Sequence, residues 1–529
     1  MERKSNISKN KLILLGVVLL AAVIRTYKVD SFPPSLYWEE AALGYDSYSI
    51  VKTGKDYHGN TLPIVSFPSF GDHKPSLYFY VAAPFIWTLG LNELAIRLPS
   101  VIAGIVAVYF IYKLARIQKL KEGTAILASF LLAISPWHIQ LSRAAFEVNL
   151  AATLLLVGMY FLIKAQRKPN QIYVSSIILS LSMYAYHGLR IIAPLLAIAT
   201  YLLYRKKYKF NKIIPALIVS LVLISPILIN IKNPTVNQRL KETSYFTQSK
   251  AVEITNEYRE KYNNSFLSRV IFHRYWFWSG ELIENYFKNF TPNFLFIQGD
   301  KNTRHQTGEF GLLYHWEIIS LFAAVIFLQK RRNKNMSLFI VWILVAPIPS
   351  MLTKTNPHTL RLFPGVFAFT ILSAYGAEYL RNIINKKKLL KLIAFFIIFT
   401  EFYAFTHYYF KHYPTNTSQD WQYGYKQVVE YTEENKEKYD KIYFTRDFGR
   451  PSIYVLFYGK YDPKNIQSIE PTLKKDQQEL LEFDKYVFGN PPPQATNALI
   501  VIPATDVGGQ ELNTLKQVDF LDKKPGFVI

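Results

Sequence analysis

Two adjacent carboxylates, Glu39 and Glu40, sit in the run YWEEAALGYDSYSI. Adjacent carboxylates repel, which raises one pKa and suits a general base or a metal ligand. Their apolar and aromatic flanks are unusual for two merely solvated acids. Next comes FGDHKPSLYFY, where Asp72, His73 and Lys74 precede Pro75. A lysine meets a phosphate as a point charge, and Asp72 and His73 could ligate a cation or tune that lysine. In SPWHIQLSRAAFEVNL, Arg143 and Glu147 are four apart, which on a helix puts them on one face. His187 and Arg190 lie in YAYHGLRIIAP, Asp300, Arg304 and His305 in FIQGDKNTRHQTGEFG, and His358 and Arg361 in TNPHTLRLFP. Singly, each of these has an ordinary structural explanation, such as an ion pair or a headgroup contact. Jointly they are the equipment for displacing an anionic leaving group: cations stabilise the departing phosphate while a carboxylate takes the nucleophile's proton.

The elements that must position these groups follow from composition. The chain has 529 residues, half of them hydrophobic, 16% aromatic, with no Cys. Charged residues are 19%, below the ~25% of soluble domains. Disorder and a disulfide scaffold are both excluded. The apolar residues fall in long runs up to about residue 410. The first, Leu12 to Ile24, follows Arg3, Lys4, Lys9 and Lys11. It has no small-residue cleavage site after it and reads as a retained span rather than a signal peptide. Further spans are expected near 94–115, 124–139, 148–164, 171–187, 188–204, 213–231, 315–329, 336–352, 362–380 and 389–410. That makes about eleven, each near the ~20 residues that cross a bilayer. The segment 75–90 is apolar, short and punctuated by proline, so it reads as an interfacial or re-entrant helix.

The 61 Lys and Arg outnumber the 38 Asp and Glu, for a net charge of +23. Much of the excess sits in short loops: Arg116, Lys119 and Lys121; Lys164, Arg167 and Lys168; Arg205, Lys206, Lys207 and Lys209; Lys330, Arg331, Arg332 and Lys334; Arg381, Lys386, Lys387 and Lys388. With the spans above, all of these lie on the side of the N-terminus, which the positive-inside rule makes cytoplasmic. The charge therefore sets topology, and nucleic acid is excluded as a partner; the partner is the lipid bilayer. The opposite side receives the first loop (about 30–93), the turn 140–147, a long loop (about 232–314), the short loop 353–361 and the tail. In the tail, DKIYFTR, KYVFG and ALIVIPA read as strands and 421–437 as an amphipathic helix. Residues 1–410 are thus a polytopic α-helical membrane domain of the plasma membrane, and 411–529 a small extracytoplasmic α/β domain.

Lys74, Arg143, Arg190, Arg304 and Arg361 lie on the side where orientation does not call for cations. No P-loop, no GxGxxG after a strand, no HExxH and no CxxC is present, so a nucleotide-driven pump and a zinc protease have no support. The aromatic cluster at 275–296 suits either sugar stacking or a headgroup belt.

Several of these motifs occur in a familiar order. An acidic pair follows span one, GD.KP.LY precedes an interfacial helix, RLPS leads into span two, and SPWH.Q.SR...E follows span three. This resembles the GT-C membrane glycosyltransferases, specifically glycosyltransferase family 39, which includes the protein O-mannosyltransferases, and the aminoarabinose transferases. The resemblance covers about residues 10–410. It implies a sugar donor on a polyprenyl phosphate and inverting transfer to a lipid, glycan or protein acceptor at the outer face. It also implies that Glu39 and Glu40 match the family's acidic pair, usually Asp-Glu. Lys74 matches the lysine that contacts the donor phosphate, and Glu147 the second acid. Relatives often have Glu-Lys-Pro-Pro where this chain has His73-Lys74-Pro75-Ser76, and the β-trefoil insertions of eukaryotic members have no counterpart.

The expected site therefore has Glu39 or Glu40 as base, with Glu147 positioning the site or sharing a metal. Lys74 and Arg143, with Arg190, Arg304 and Arg361, are placed on the donor phosphate. No cofactor is required by the sequence; Glu39, Asp72, His73 and Glu147 are the candidate ligands for a divalent cation. The competing readings are a flippase or transporter of lipid-linked sugar and a non-catalytic assembly protein. A transporter needs polar groups at mid-membrane, whereas here the span centres are almost uncharged.

Overall fold

Every apolar run lies on a helix in the computed structural model, which describes residues 2–230, 250–330, 333, 335–492, 495–507 and 513–529. Arg331, Arg332 and Lys334 of one basic loop, and residues 232–249 of the long loop, lie outside these. The first run is within Glu2–Thr26, and the next ones are Glu93–Ile117, Glu147–Lys164 and Phe210–Ile229. The expected pair 171–187 and 188–204 corresponds to Gln171–Ser182 and Leu189–Tyr204. Among the described residues five helices are long and apolar enough to cross a membrane, or six if one bent pair is a single span. That pair, Glu122–Ile134 and Pro136–Arg143, bends by 55°. The cause is local: Ser135 precedes Pro136 and is forced out of the helical region, to ψ 124°.

The chain divides into two compact units. One comprises Met1–Ala21, Gly104–Gln140 and Ala151–Glu401. At its centre is the stretch Thr359–Ile383, largely buried. It packs on Trp316–Lys330 through small residues, the usual contact between membrane helices. Ser320 and Ser373 share a hydrogen bond of 2.7 Å, and a Cβ on Gly376 would fall 1.7 Å from the Ser320 carbonyl. Phe210–Ile229 and Lys388–Lys411 bury few of their residues, as lipid-facing helices do. The protein is membrane-embedded.

The other unit comprises Ala22–Ala103, Leu141–Leu150 and Phe402–Ile529. It contains the tail and the first long loop together. The loop holds helix Trp38–Thr53, a hairpin of β1 (Ser66–Ser69) and β2 (Asp72–Pro75), and the proline-punctuated helix Leu77–Leu89 at the expected place. The tail carries β3 (Lys441–Phe444), β4 (Lys475–Asp476), β5 (Glu479–Leu480), β6 (Glu482–Phe483), β7 (Tyr486–Phe488), β8 (Ala498–Pro503), β9 (Gln517–Asp519) and β10 (Pro525–Val528). β3, β7 and β8 are the strands read from the sequence, and helix Tyr425–Asn435 is the amphipathic one. The main sheet has the order β6-β7-β3-β8-β10-β9, with β3 parallel to both neighbours. β8 alternates half-buried and buried residues along its length, as a strand with one covered face must. Helix Pro451–Tyr458 packs on both Tyr425–Asn435 and Trp38–Thr53. Gly44 permits this: a Cβ there would lie 2.7 Å from Phe457 and 2.5 Å from Ile96.

Candidate active site

The hairpin explains how Asp72 and Lys74 meet. Its two-residue turn, Phe70 and Gly71, has φ of 49° and 77°, the pair of positive angles that a tight hairpin of matched twist requires. Strand alternation then puts Asp72 and Lys74 on one face and His73 on the other. Lys74 Nζ lies 3.3 Å from Asp72 Oδ2 and donates to Glu39 Oε1 at 2.6 Å. His73 lies 3.4 Å from Ser66 Oγ instead. Burial pushes the His73 imidazole below its ordinary value, against the pull of Asp72. Lys74 is buried, whereas the Glu39 side chain is 38% exposed. The ammonium is thus fixed by two carboxylates, one of which faces outward.

Glu40 has a different environment from its neighbour. It and Arg97 are fully buried. Arg97 grips it in a fork, Nε to Oε1 at 3.1 Å and Nη2 to Oε2 at 3.0 Å. The same guanidinium donates to the carbonyls of Val29, Pro33 and Ser35, and Glu40 Oε1 also accepts the Ala145 N–H at 2.7 Å. Arg97 is the arginine of the RLPS motif; the motif was visible, the ion pair was not. Successive residues on a helix point about 100° apart, so one acid of the pair is buried and the other partly exposed.

Arg143 and Glu147 do not share a helix face as their spacing suggested. Arg143 ends helix Pro136–Arg143 and Glu147 begins Glu147–Lys164. The break arises where the Ala145 N–H turns to Glu40. Arg143 is buried, donates to the carbonyls of Ile24, Tyr27 and Phe32, and stacks on Tyr409 and Phe410. Glu147, half-buried at its helix N-terminus, lies with Glu40 in electrostatic reach of Tyr78.

In the other unit the sequence candidates form a second cluster. Asp300 Oδ2 is 3.0 Å from His305 Nδ1 and 3.9 Å from His358 Nδ1, and it accepts the Thr359 N–H at 2.9 Å. Burial opposes ionisation of Asp300, but the His305 hydrogen bond and the charges of His305 and His358 hold it down to about 2. Ligating atoms of these three residues all lie within 4.8 Å of one another. Among the described residues this is the one group of three that could share an ion. The candidate ligands from the sequence are instead Glu39, Asp72, His73 and Glu147. There Lys74 stands between Glu39 and Asp72, and His73 points away. Gln140 donates to the Arg304 carbonyl at 2.7 Å, and Arg304 Nε lies 3.4 Å from Asn302 Oδ1. Arg361 donates to Thr353 Oγ1 and to the carbonyl and Oγ1 of Thr355. His187 is half-buried in the turn before Leu189–Tyr204. Arg190 donates from Nε to the Met183 carbonyl at 3.3 Å, while its Nη2 is buried without a hydrogen-bond partner among the described residues. In the aromatic cluster Tyr275 and Trp276 are exposed.

Residues 73–230 match the family model of dolichyl-phosphate-mannose-protein mannosyltransferases. No curated protein matches the chain. Among solved structures, ArnT from Cupriavidus metallidurans bound to undecaprenyl phosphate superposes with a TM-score of 0.54 at 11% identity, covering 99% of this chain and 98% of that one. The same protein in its apo state gives 0.53 at 10% identity, covering 100% and 98%. The oligosaccharyltransferase of Archaeoglobus fulgidus, in complex with Zn and sulfate, gives 0.51 at 14% identity, covering 84% of this chain and 61% of that one. The architecture is therefore the GT-C fold of membrane glycosyltransferases.

Proposed function

We propose that the protein is an integral-membrane glycosyltransferase. It moves a sugar from a polyprenyl-phosphate carrier to a lipid, glycan or protein acceptor, with inversion, at the extracytoplasmic face of the plasma membrane. The observation that carries this reading is the Lys74 ammonium, buried and pinned between Glu39 and Asp72, with Glu39 left half-open. The family model over 73–230 and the undecaprenyl phosphate bound to the ArnT neighbour support a lipid-linked donor.

The chemistry follows from these groups. Glu39 accepts the proton of the acceptor hydroxyl or amine. The freed electron pair forms the new bond to the sugar's anomeric carbon from the face opposite the phosphate. The carbon–oxygen bond to phosphate breaks, and its electron pair leaves on the lipid phosphate, whose charge Lys74 balances. Glu40 is assigned to holding Arg97, and Arg143 to holding the chain at Ile24, Tyr27 and Phe32. Glu147 is assigned to positioning. Arg190 is assigned as an anion contact within its own unit, because its Nη2 has no hydrogen-bond partner among the described residues.

A divalent cation is assigned to Asp300, His305 and His358. One carboxylate and two imidazoles are a zinc-type donor set. Bound there, the ion would supply a fixed positive charge.

The test offers the purified full-length protein, in lipid nanodiscs, a panel of polyprenyl-phosphate sugars with and without chelator. Release of polyprenyl phosphate with any donor, and its loss in Lys74→Gln, is the expected result. Transport of lipid-linked sugar without any release would overturn the reading.

A further inference from the structure

Glu39 and Lys74 lie on two different elements, so their separation must be set by something that holds both. Helix Trp38–Thr53 begins in a socket of the tail. The Trp38 N–H, one of the helix's unsatisfied first-turn donors, goes to Gln422 Oε1 at 2.9 Å. Gln422 Nε2 donates to the Phe448 carbonyl at 2.6 Å. The Tyr454 hydroxyl bridges Gln422 Oε1 at 2.6 Å and the Leu36 carbonyl at 3.0 Å. Gly449, at φ 130°, lies where any Cβ would strike the Trp38 ring at 2.6 Å.

The hairpin bearing Lys74 is gripped at its tip by a second hairpin, β4–β5. The Gly71 N–H donates to Gln478 Oε1 at 3.2 Å, and the Arg450 guanidinium lies over the Phe70 ring at 5.6 Å. Arg450 also donates to Gln477 Oε1. The β4–β5 turn is Gln477-Gln478, with φ of 49° and 69°. Such a turn favours Asn and Gly; here glutamines occupy it, and their longer amides reach Arg450 and the facing hairpin. Behind the turn, Glu479 is fully buried and paired with Arg446 at 2.9 Å and Arg450 at 3.0 Å. The gripping hairpin is therefore itself rigidly held.

We propose that the tail is the positioning element of the Glu39–Lys74 pair. Gln422 fixes the carboxylate's helix and Gln478 the lysine's hairpin. This rests on the reading of Lys74 as the donor-phosphate contact. Neither glutamine touches donor or acceptor; each acts through the residue it places.

The experiment measures undecaprenyl phosphate binding to the full-length protein in nanodiscs. Gln478→Gly accepts φ 69° without strain, so it removes the amide and leaves the turn. It weakens binding about fivefold, the worth of one hydrogen bond. In a Lys74→Gln background it weakens binding no further, because the clasp has nothing left to position. In turnover, Gln422→Met lowers kcat about tenfold with the donor KM changed by less than about twofold. Equal losses from Gln478→Gly on both backgrounds, or no loss on either, would overturn the proposal. Undiminished binding in Lys74→Gln alone would instead overturn the donor-site reading, so the two failures are distinguishable.

Discussion

At the scale of single residues, neighbours in sequence have opposite fates. Glu39 is partly exposed and shares a lysine with Asp72, whereas Glu40 is sealed beside Arg97. Their conservative variants should therefore fail differently. Glu39→Gln is expected to cut turnover by about 10²-fold or more while leaving thermal stability nearly unchanged. Glu40→Gln leaves a buried guanidinium without its counter-charge, and should cost about 3–5 kcal/mol of stability. Thermal unfolding and product release, measured on both variants, separate the roles; a stable but inactive Glu40→Gln would reverse the assignment. The acids themselves were legible from EE between aromatic flanks. Which one faces inward was not, because that depends on Arg97, 57 residues away.

At the scale of elements, apolar runs announced their helices because a bilayer demands uninterrupted length and internally satisfied backbones. The β1–β2 hairpin gave no such signal. Pro68 and Pro75 interrupt it, and proline argues against a strand. Yet that hairpin decides that Asp72 rather than His73 joins Lys74. The Asp300–His305–His358 cluster was nominated in parts, but its assembly joins segments 53 residues apart, which no local pattern encodes. An ion there would tie one loop to another. Purified protein should carry about one zinc per chain by elemental analysis, lost in the His305→Ala, His358→Ala double variant. Equal metal content in both proteins would remove the cation from that cluster.

At the scale of the whole molecule, the +23 charge and the apolar runs together predict an orientation. The chain has no Cys, so single introduced thiols report sidedness against no background. Lys206→Cys, in an exposed basic loop, should react with a membrane-impermeant maleimide only after permeabilisation. Lys464→Cys, exposed in the tail, should react in intact cells. Labelling of both from the same side would invert or break the topology. The tail's strands were readable from alternation, but its partnership with the first long loop was not. Contacts such as Tyr45 to the Tyr461 carbonyl, or Gln467 to Ser49, bridge more than 400 residues.

That separation has a consequence in time. Gln422 is made 384 residues after the Trp38 it caps, a delay of roughly 20–80 s at ordinary rates of synthesis. During that interval the early helices insert, while the carboxylate and lysine wait without their clasp. On the proposed positioning role, the Glu39–Lys74 pair takes its geometry only once the tail has been made and folds against what was built first.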